Sequence, residues 1–216
     1  PAAGGSRMLI GHYVPMLVFG CLGQIVPERV MAACGSPMWG MNQSGVRDGG
    51  KPYANMFFYN GGMGGNARGD GVTCLSWPSN VSSTSIEISE HIAPLRFHHK
   101  KLRADSGGAG RHRGGLGQEI LIESLSETPI AVSFLAERTV FPAFGIEGGR
   151  DGTPGELLIN GKKTDPKKQY VLRKGDTVRL GTPGGGGHGD PRRRDSSALE
   201  EDIAAGYVTD RTSYRD

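Results

Sequence analysis

Gly184–Gly187 is an unbroken run of four glycines within Thr182-Pro-Gly-Gly-Gly-Gly-His-Gly-Asp-Pro191. Glycine loses more backbone freedom on ordering than any other residue, so a chain that fixes such a run must gain from close approach of that backbone to another element or subunit. A second glycine-dense stretch, Leu102–Gly117, interleaves its glycines with Arg103, Arg111 and Arg113 and opens with Asp105-Ser106. Arginine supplies a permanently charged fork for carboxylate or phosphate. This stretch is therefore either an anion-handling loop or a tightly folded turn.

Glycine accounts for 36 of the 216 residues, against a usual share of ~7 %. Apolar residues make up 36 %, so loops must occupy much of the chain even though its length permits a real core. No run reaches the ~20 apolar residues of a membrane helix. The net charge of +3 is mild, and the basic residues are dispersed rather than gathered on one face with stacking aromatics, which excludes the signature of nucleic-acid binding. Cys21, Cys34 and Cys74 are odd in number and lack a Cys-x-x-Cys spacing. That argues against a disulfide framework or a zinc knuckle and makes a reducing cytoplasm the expected compartment.

Along the chain, Pro15–Ile25 reads as a short buried helix with Pro15 in its first turn, and Tyr53–Tyr59 as a strand that runs into a glycine loop. Gln118–Ser124 and Ile130–Glu137 alternate as strands do. Asn160-Gly161 favours a type I′ hairpin turn, and Arg173-Lys-Gly-Asp176 separates two further strands. After Asp190 the texture becomes helical: Ser196 or Ser197 can cap a helix, with Glu200 as the reciprocal acid for Ser197, and a last short turn from Thr209 is expected to fray at Asp216, a terminus without an obvious anchor. The expected fold is α+β, β-rich, with antiparallel hairpins, long glycine loops and few short helices. It divides into a mixed segment 1–117, an antiparallel β unit 118–190 and a helical tail 191–216.

Three groups of residues invite functional readings. Asp105, Ser106, Arg111 and Arg113 are candidate anion or substrate contacts. Backbone NH groups and arginines there could clamp a carboxylate or phosphate, or Asp105 could pair with Arg111 or Arg113 and lock the loop. His112 is a conceivable base for Ser106. Glu87 and Glu90, with His91, would share a helical face, but two or three ligands of this kind are also common as solvated surface, and no metal set is assigned. Gly62-Met-Gly-Gly-Asn-Ala67 matches a dinucleotide fingerprint, but Arg68-Gly-Asp-Gly71 follows where a helix should open, so no nucleotide site is assigned.

In order and spacing, Asn60-Gly-Gly-Met-Gly-Gly65, Arg68-Gly-Asp-Gly71, the 105–117 stretch and the 182–191 stretch resemble the carboxy-terminal part of the hydantoinase B/oxoprolinase family. That family comprises B-type subunits of ATP-dependent hydantoinases, 5-oxoprolinases, caprolactamases, and acetone and acetophenone carboxylases. The resemblance extends from about Gly11 to Val208. It implies a hetero-oligomer in which an A-type subunit binds ATP and activates a cyclic amide by phosphorylation, while a divalent metal in the B-type subunit completes the hydrolysis. It also implies that the metal-binding acids and histidines belong to an amino-terminal half without counterpart here, since His98-His99 is followed by Lys100-Lys101. The chain is therefore expected to be a carboxy-terminal fragment, a processed piece or a shortened relative. By itself it would hold no cofactor, and its partners would be the A-type subunit and the amino-terminal half of the B-type subunit. The competing expectation is a non-catalytic assembly module that retains only the scaffold. His188 stands where the family usually has Tyr, and reads as a packing or solvent-facing position.

Overall fold

In Gln118–Ser124 and Ile130–Leu135 every second side chain is buried, the pattern of strands with one face on a core. The computed structural model describes residues 6–36, 38–47 and 49–215. Its strands are β1 (Trp39–Val46), β2 (Pro52–Tyr59), β3 (Leu95–Leu102), β4 (Gln118–Ser124), β5 (Ile130–Leu135), β6 (Glu156–Ile159), β7 (Lys162–Lys163), β8 (Gln169–Leu172) and β9 (Thr177–Gly181). They form two antiparallel sheets, ordered β2-β1-β5-β8 and β3-β4-β9-β6-β7. The helices are α1 (Ser6–Leu22), α2 (Ile86–Ile92) and α3 (Ser196–Ala204). The fold is α+β and β-rich.

One core joins the sheets. Trp39, Met41, Phe57, Ile130 and Val132 from the first meet Leu95, Ile120, Ile122, Val178 and Leu180 from the second. Trp39 is 1 % exposed, and its indole NH donates to the Glu137 carbonyl at 3.0 Å, so its polar atom is satisfied.

Strand register gathers the glycine loops at one end. Trp39 pairs with Tyr59, Leu102 with Gln118, and Gly181 faces both Glu119 and Glu156. The segments before β1, after β2, between β3 and β4, between β5 and β6, and after β9 therefore all leave the sandwich on the same side. Thr182 pins three of them together: its hydroxyl donates to the Asn60 carbonyl at 2.9 Å and accepts from the Gln118 NH at 2.7 Å.

The Asn160-Gly161 turn forms as expected, with φ of +50° and +73° at the two positions and β6 and β7 on either side. Other expectations are corrected. Both sheets take strands from either side of Gly117, so residues 118–190 are not a separate β unit. β8 and β9 flank their turn but belong to different sheets, because Leu172 pairs with Ile130 while Val178 pairs with Ile122. Pro15 lies inside α1 rather than in its first turn; Gly11, four residues earlier, is exposed, so water can serve the carbonyl that Pro15 leaves without a donor. Asp195, not a serine, caps α3, accepting from the NH groups of Ser197 and Ala198 at 2.9 and 3.2 Å, while Glu200 pairs with Arg211. The tail is anchored: Tyr214 is 7 % exposed and packs with Ala109 and Val208. The expected fraying at Asp216 falls outside the described residues.

Candidate functional site

At the loop end, segment 182–189 runs through the middle of three others. A Cβ on Gly184 would overlap the Ser106 carbonyl, on Gly185 that of Met63, on Gly186 that of Phe144 and on Gly187 that of Ala109. The 106–109 neighbour thus returns after three residues, the repeat of a polyproline-II-type winding. The four amides of the run find acceptors in three straps: Gly184 in Thr153 and Gly187 in Arg150 of the segment between β5 and β6, Gly185 in Gly115 and Gly186 in Ala33, at 2.8–3.3 Å. Backbone hydrogen bonds on all sides of one strand, at contact distances only hydrogen can occupy, are what the four glycines provide. The Gly62–Ala67 loop belongs to the same packing. Side chains on Gly62 and Gly64 would collide with Gly115 and Ala32 backbone, and no helix follows, so a pyrophosphate has no room there.

α3 and the tail clamp the 105–113 strap. Asp105, at φ +56°, accepts from the Thr209 NH at 2.7 Å and from the Thr209 hydroxyl, and its own NH donates to the Tyr207 carbonyl. It pairs with neither Arg111 nor Arg113. Arg113 instead closes on Asp202, and Arg194 reaches both Asp70 at 2.8 Å and Asp202 at 2.6 Å. The rings of Tyr207 and Tyr214 lie against these guanidinium groups at 5.5 and 6.0 Å. Burial alone would raise the Asp70 pKa, but the hydrogen bonds and charges of Arg194 and Arg113 outweigh it and hold the carboxyl below its ordinary value. Arg194 and Asp202 have no local sequence signal: no motif marks them, and the pairs span long separations.

Ser106 is fully buried; its hydroxyl donates to the Arg103 carbonyl at 2.5 Å and accepts from the Gly117 NH at 3.0 Å. Both roles hold the strap closed and leave no proton path to His112. Glu90 accepts from the Phe97 NH inside β3 at 2.7 Å, and Glu87 is exposed on α2. The structure therefore separates the sequence candidates: of the first four Asp105 and Arg111 are exposed without an ion pair to a described residue, and Asp105 is taken up by Thr209.

Arg111 lies in a groove. Two neighbouring cavities of about 220 and 440 Å³ share Arg111, His112 and Arg193, with His188, Glu147 and Asp70 on their walls. The groove floor is a reciprocal backbone pair, with each of His112 and His188 donating its NH to the other's carbonyl at 2.9 Å. His188 is 7 % exposed, and its Nε2 lies 3.2 Å from the Pro27 carbonyl, so that nitrogen is assigned a proton that it donates there. Burial, aided by Arg111, His188 and Arg194, lowers the His112 pKa below its ordinary 6.5 against the pull of Asp70, which leaves the ring neutral at pH 7. Asp70 is neutralised by Arg194 and Asp190 by Arg192. The charges in the groove without an ion partner among the described residues are thus those of Arg111 and Arg193, opposed by Glu147 and by Asp195, whose carboxylate is taken up by the α3 amides; the two guanidinium groups are the ones there suited to a carboxylate or phosphate.

Among the described residues no three His, Cys, Asp or Glu side chains come together as a metal site would require. The divalent ion implied by the resemblance has no donor set among them. No described helix is long and apolar enough to cross a membrane.

The chain is 34 % identical over 205 residues to an uncharacterized protein of Methanocaldococcus jannaschii, covering 93 % of this chain and 35 % of the relative. It is 31 % identical over 209 residues to the caprolactamase subunit beta of Pseudomonas jessenii, covering 87 % of this chain and 35 % of that subunit. The crystal structure of the ATP-dependent caprolactamase from Pseudomonas jessenii superimposes with a TM-score of 0.73 at 26 % identity, over 89 % of this chain and 36 % of that one. The chain thus spans about a third of the length of these relatives. The family model described as hydantoinase B/oxoprolinase matches residues 1–191, and the chain, with its glycine straps, belongs to that family.

Proposed function

We propose that this chain is the carboxy-terminal portion of a B-type subunit that opens cyclic amides of the hydantoin, 5-oxoproline or caprolactam kind, working with an ATP-binding A-type subunit and the remainder of the B-type subunit. The observation that carries this reading is the double likeness to caprolactamase, in the sequence of its beta subunit and in its solved fold. Opening a cyclic amide with water turns the ring carbonyl into a carboxylate, and consuming ATP releases phosphate. Both are anions of the kind that Arg111 and Arg193 are free to hold, with neutral His112 between them as donor or acceptor. The glycine straps give this groove a backbone floor that cannot collapse, and the Arg113–Asp202 and Arg194–Asp70 pairs fix the wall behind it.

The test is an assay of the complete assembly, with this chain, the remainder of the B-type subunit and the A-type subunit produced together. Hydantoin, 5-oxoproline and caprolactam are supplied with and without ATP, and the ring-opened acid is measured by chromatography. ATP-dependent opening of at least one is expected. An intact assembly that opens none of the three rejects the reading.

A further inference from the structure

α1 is apolar on both faces, yet the described residues cover only one. On the inner side, the Tyr13 hydroxyl donates to Glu137 at 2.5 Å, the Arg138 guanidinium sits over the Tyr13 ring at 5.0 Å, Met16 is 2 % exposed, and Gly20 lies against the Phe144 ring. On the outer side stand Ile10, Val14, Leu17, Val18, Cys21 and Leu22, whose spacings of three and four keep them on one arc. Ile25 follows just past the helix. Ile10, Leu17 and Ile25 are 70, 64 and 78 % exposed, and no charged residue lies in the arc. The loop that packs beneath α1 through Arg138 and Phe144 adds Val140 and Phe141, 73 and 80 % exposed.

Single exposed apolar side chains are ordinary. A stripe of them is not, because a helix on the surface of a soluble domain turns polar residues outward, and one that is apolar all round is buried all round. The length comparison identifies what buries it. This chain covers only 35 % of the caprolactamase beta subunit and of the archaeal relative, so these relatives carry nearly twice as much polypeptide again. We propose that the outer face of α1 is an internal interface of the B-type subunit, covered by an apolar surface of the polypeptide that lies beyond the matched third. The inference rests on family membership and on the B-type assembly proposed above, but not on cyclic-amide chemistry.

Cys21 lies inside the stripe and is the exposed one of the three cysteines, so its alkylation by a maleimide reports whether the stripe is covered. In the 216-residue chain alone Cys21 reacts freely. Assembled with the remainder of the B-type subunit, on one polypeptide or as two, its labelling slows by about tenfold or more, because reaction then waits on local opening. Leu17→Asp combined with Val18→Asp abolishes the assembly but leaves the melting of the chain alone unchanged, since both side chains are exposed there. Full-rate labelling in the assembly, or failure of the chain to bind the remainder, overturns the proposal. So do protection in the chain alone with sedimentation as a dimer, which assigns the face to a second copy, and protection by phosphatidylcholine vesicles only, which assigns it to a lipid surface. A lowered melt of the double variant also overturns it by showing the face to be packed internally. Protected Cys21 in an assembly without cyclic-amide turnover upholds the interface and rejects the catalytic reading.

Discussion

Arg113 and Asp202, 89 positions apart, meet in a two-pronged ion pair, Nε 3.0 Å from one carboxylate oxygen and Nη2 3.2 Å from the other. Their side chains are 5 and 8 % exposed. The remaining Nη1 of Arg113 donates to the Gly114 carbonyl at 2.6 Å, so both charges are held by hydrogen bonds as well as by each other. A pair this deep adds little net stability over a well-packed apolar pair, but removing one partner strands the other without water.

Asp202→Ala should therefore cost about 3–5 kcal/mol, read from urea or thermal unfolding. Asp105→Ala, which removes the contacts to Thr209 and leaves alanine at φ +56°, should cost about 0.5–1.5 kcal/mol for the lost hydrogen bonds and about 1 kcal/mol more for the left-handed backbone. In double-variant cycles Asp202→Ala and Arg113→Ala should be strongly non-additive, whereas Asp105→Ala and Arg113→Ala should add. Coupling between Asp105 and Arg113 comparable to that between Asp202 and Arg113 would contradict the assigned partners.

Acid should loosen the same corner. The Asp70 carboxyl has a folded pKa below its ordinary 3.8, so the folded state binds that proton less readily than the unfolded chain does. Its contribution is complete above about pH 4 and is lost as pH falls through the folded pKa. Unfolding followed from pH 6 down to pH 2 should show a decline that begins below about pH 4 and is shallower in Asp70→Asn. Identical profiles for the two proteins would show that Asp70 is not linked to folding.

The strands legible in the sequence are β4 and β5 from their clean alternation, β2 from its aromatic run, β8 and β9 on either side of Arg173–Asp176, and the hairpin fixed by Asn160-Gly161. β1 was not legible, because Gly40, Asn42 and Gly45 dilute its apolar pattern and its place comes from pairing with both β2 and β5. The glycine run was rightly read as a site of close backbone approach. The choice of partners for Asp105, Arg111 and Arg113 was not readable, because local spacing carries no information on α3, whose Asp202 takes Arg113. His188, read as a packing or surface position, is buried, and its backbone pairing with His112 shapes the groove. The tail could not be seen to anchor, since Tyr214 docks on residues about a hundred positions away.

The strap geometry gives its own test. Gly185→Ala places a methyl group on the Met63 carbonyl, with backbone on both sides and no flexible side chain to yield. It should cost about 3 kcal/mol or more. Gly69→Ala, where nothing lies within 4 Å of the added carbon, should stay within about 0.5 kcal/mol. Circular dichroism melts of the two variants compare them directly, and equal stabilities would contradict the packed-strap geometry.

The groove prediction separates holding an anion from holding the fold. Arg111 and Arg193 are exposed and make no ion pair with a described residue, so Arg111→Ala and Arg193→Ala should leave melting unchanged within about 0.5 kcal/mol. In the complete assembly each should raise KM for the cyclic amide, or weaken inhibition by its ring-opened carboxylate. One lost charge-assisted hydrogen bond is worth about 1.5–3 kcal/mol, roughly tenfold to a hundredfold in affinity. If the arginines hold the anion equally well in the ground and transition states, kcat stays constant. Arg113→Ala should do the reverse, lowering the melt while any assembly that survives keeps its KM, because its guanidinium is turned to Asp202 and away from the groove. Steady-state kinetics with added phosphate and with added product acid identify the anion, since the one whose inhibition constant moves in Arg111→Ala is the one the groove binds. If neither inhibition constant nor KM moves in either exposed-arginine variant, the groove is a solvated surface and the anion site lies elsewhere in the assembly.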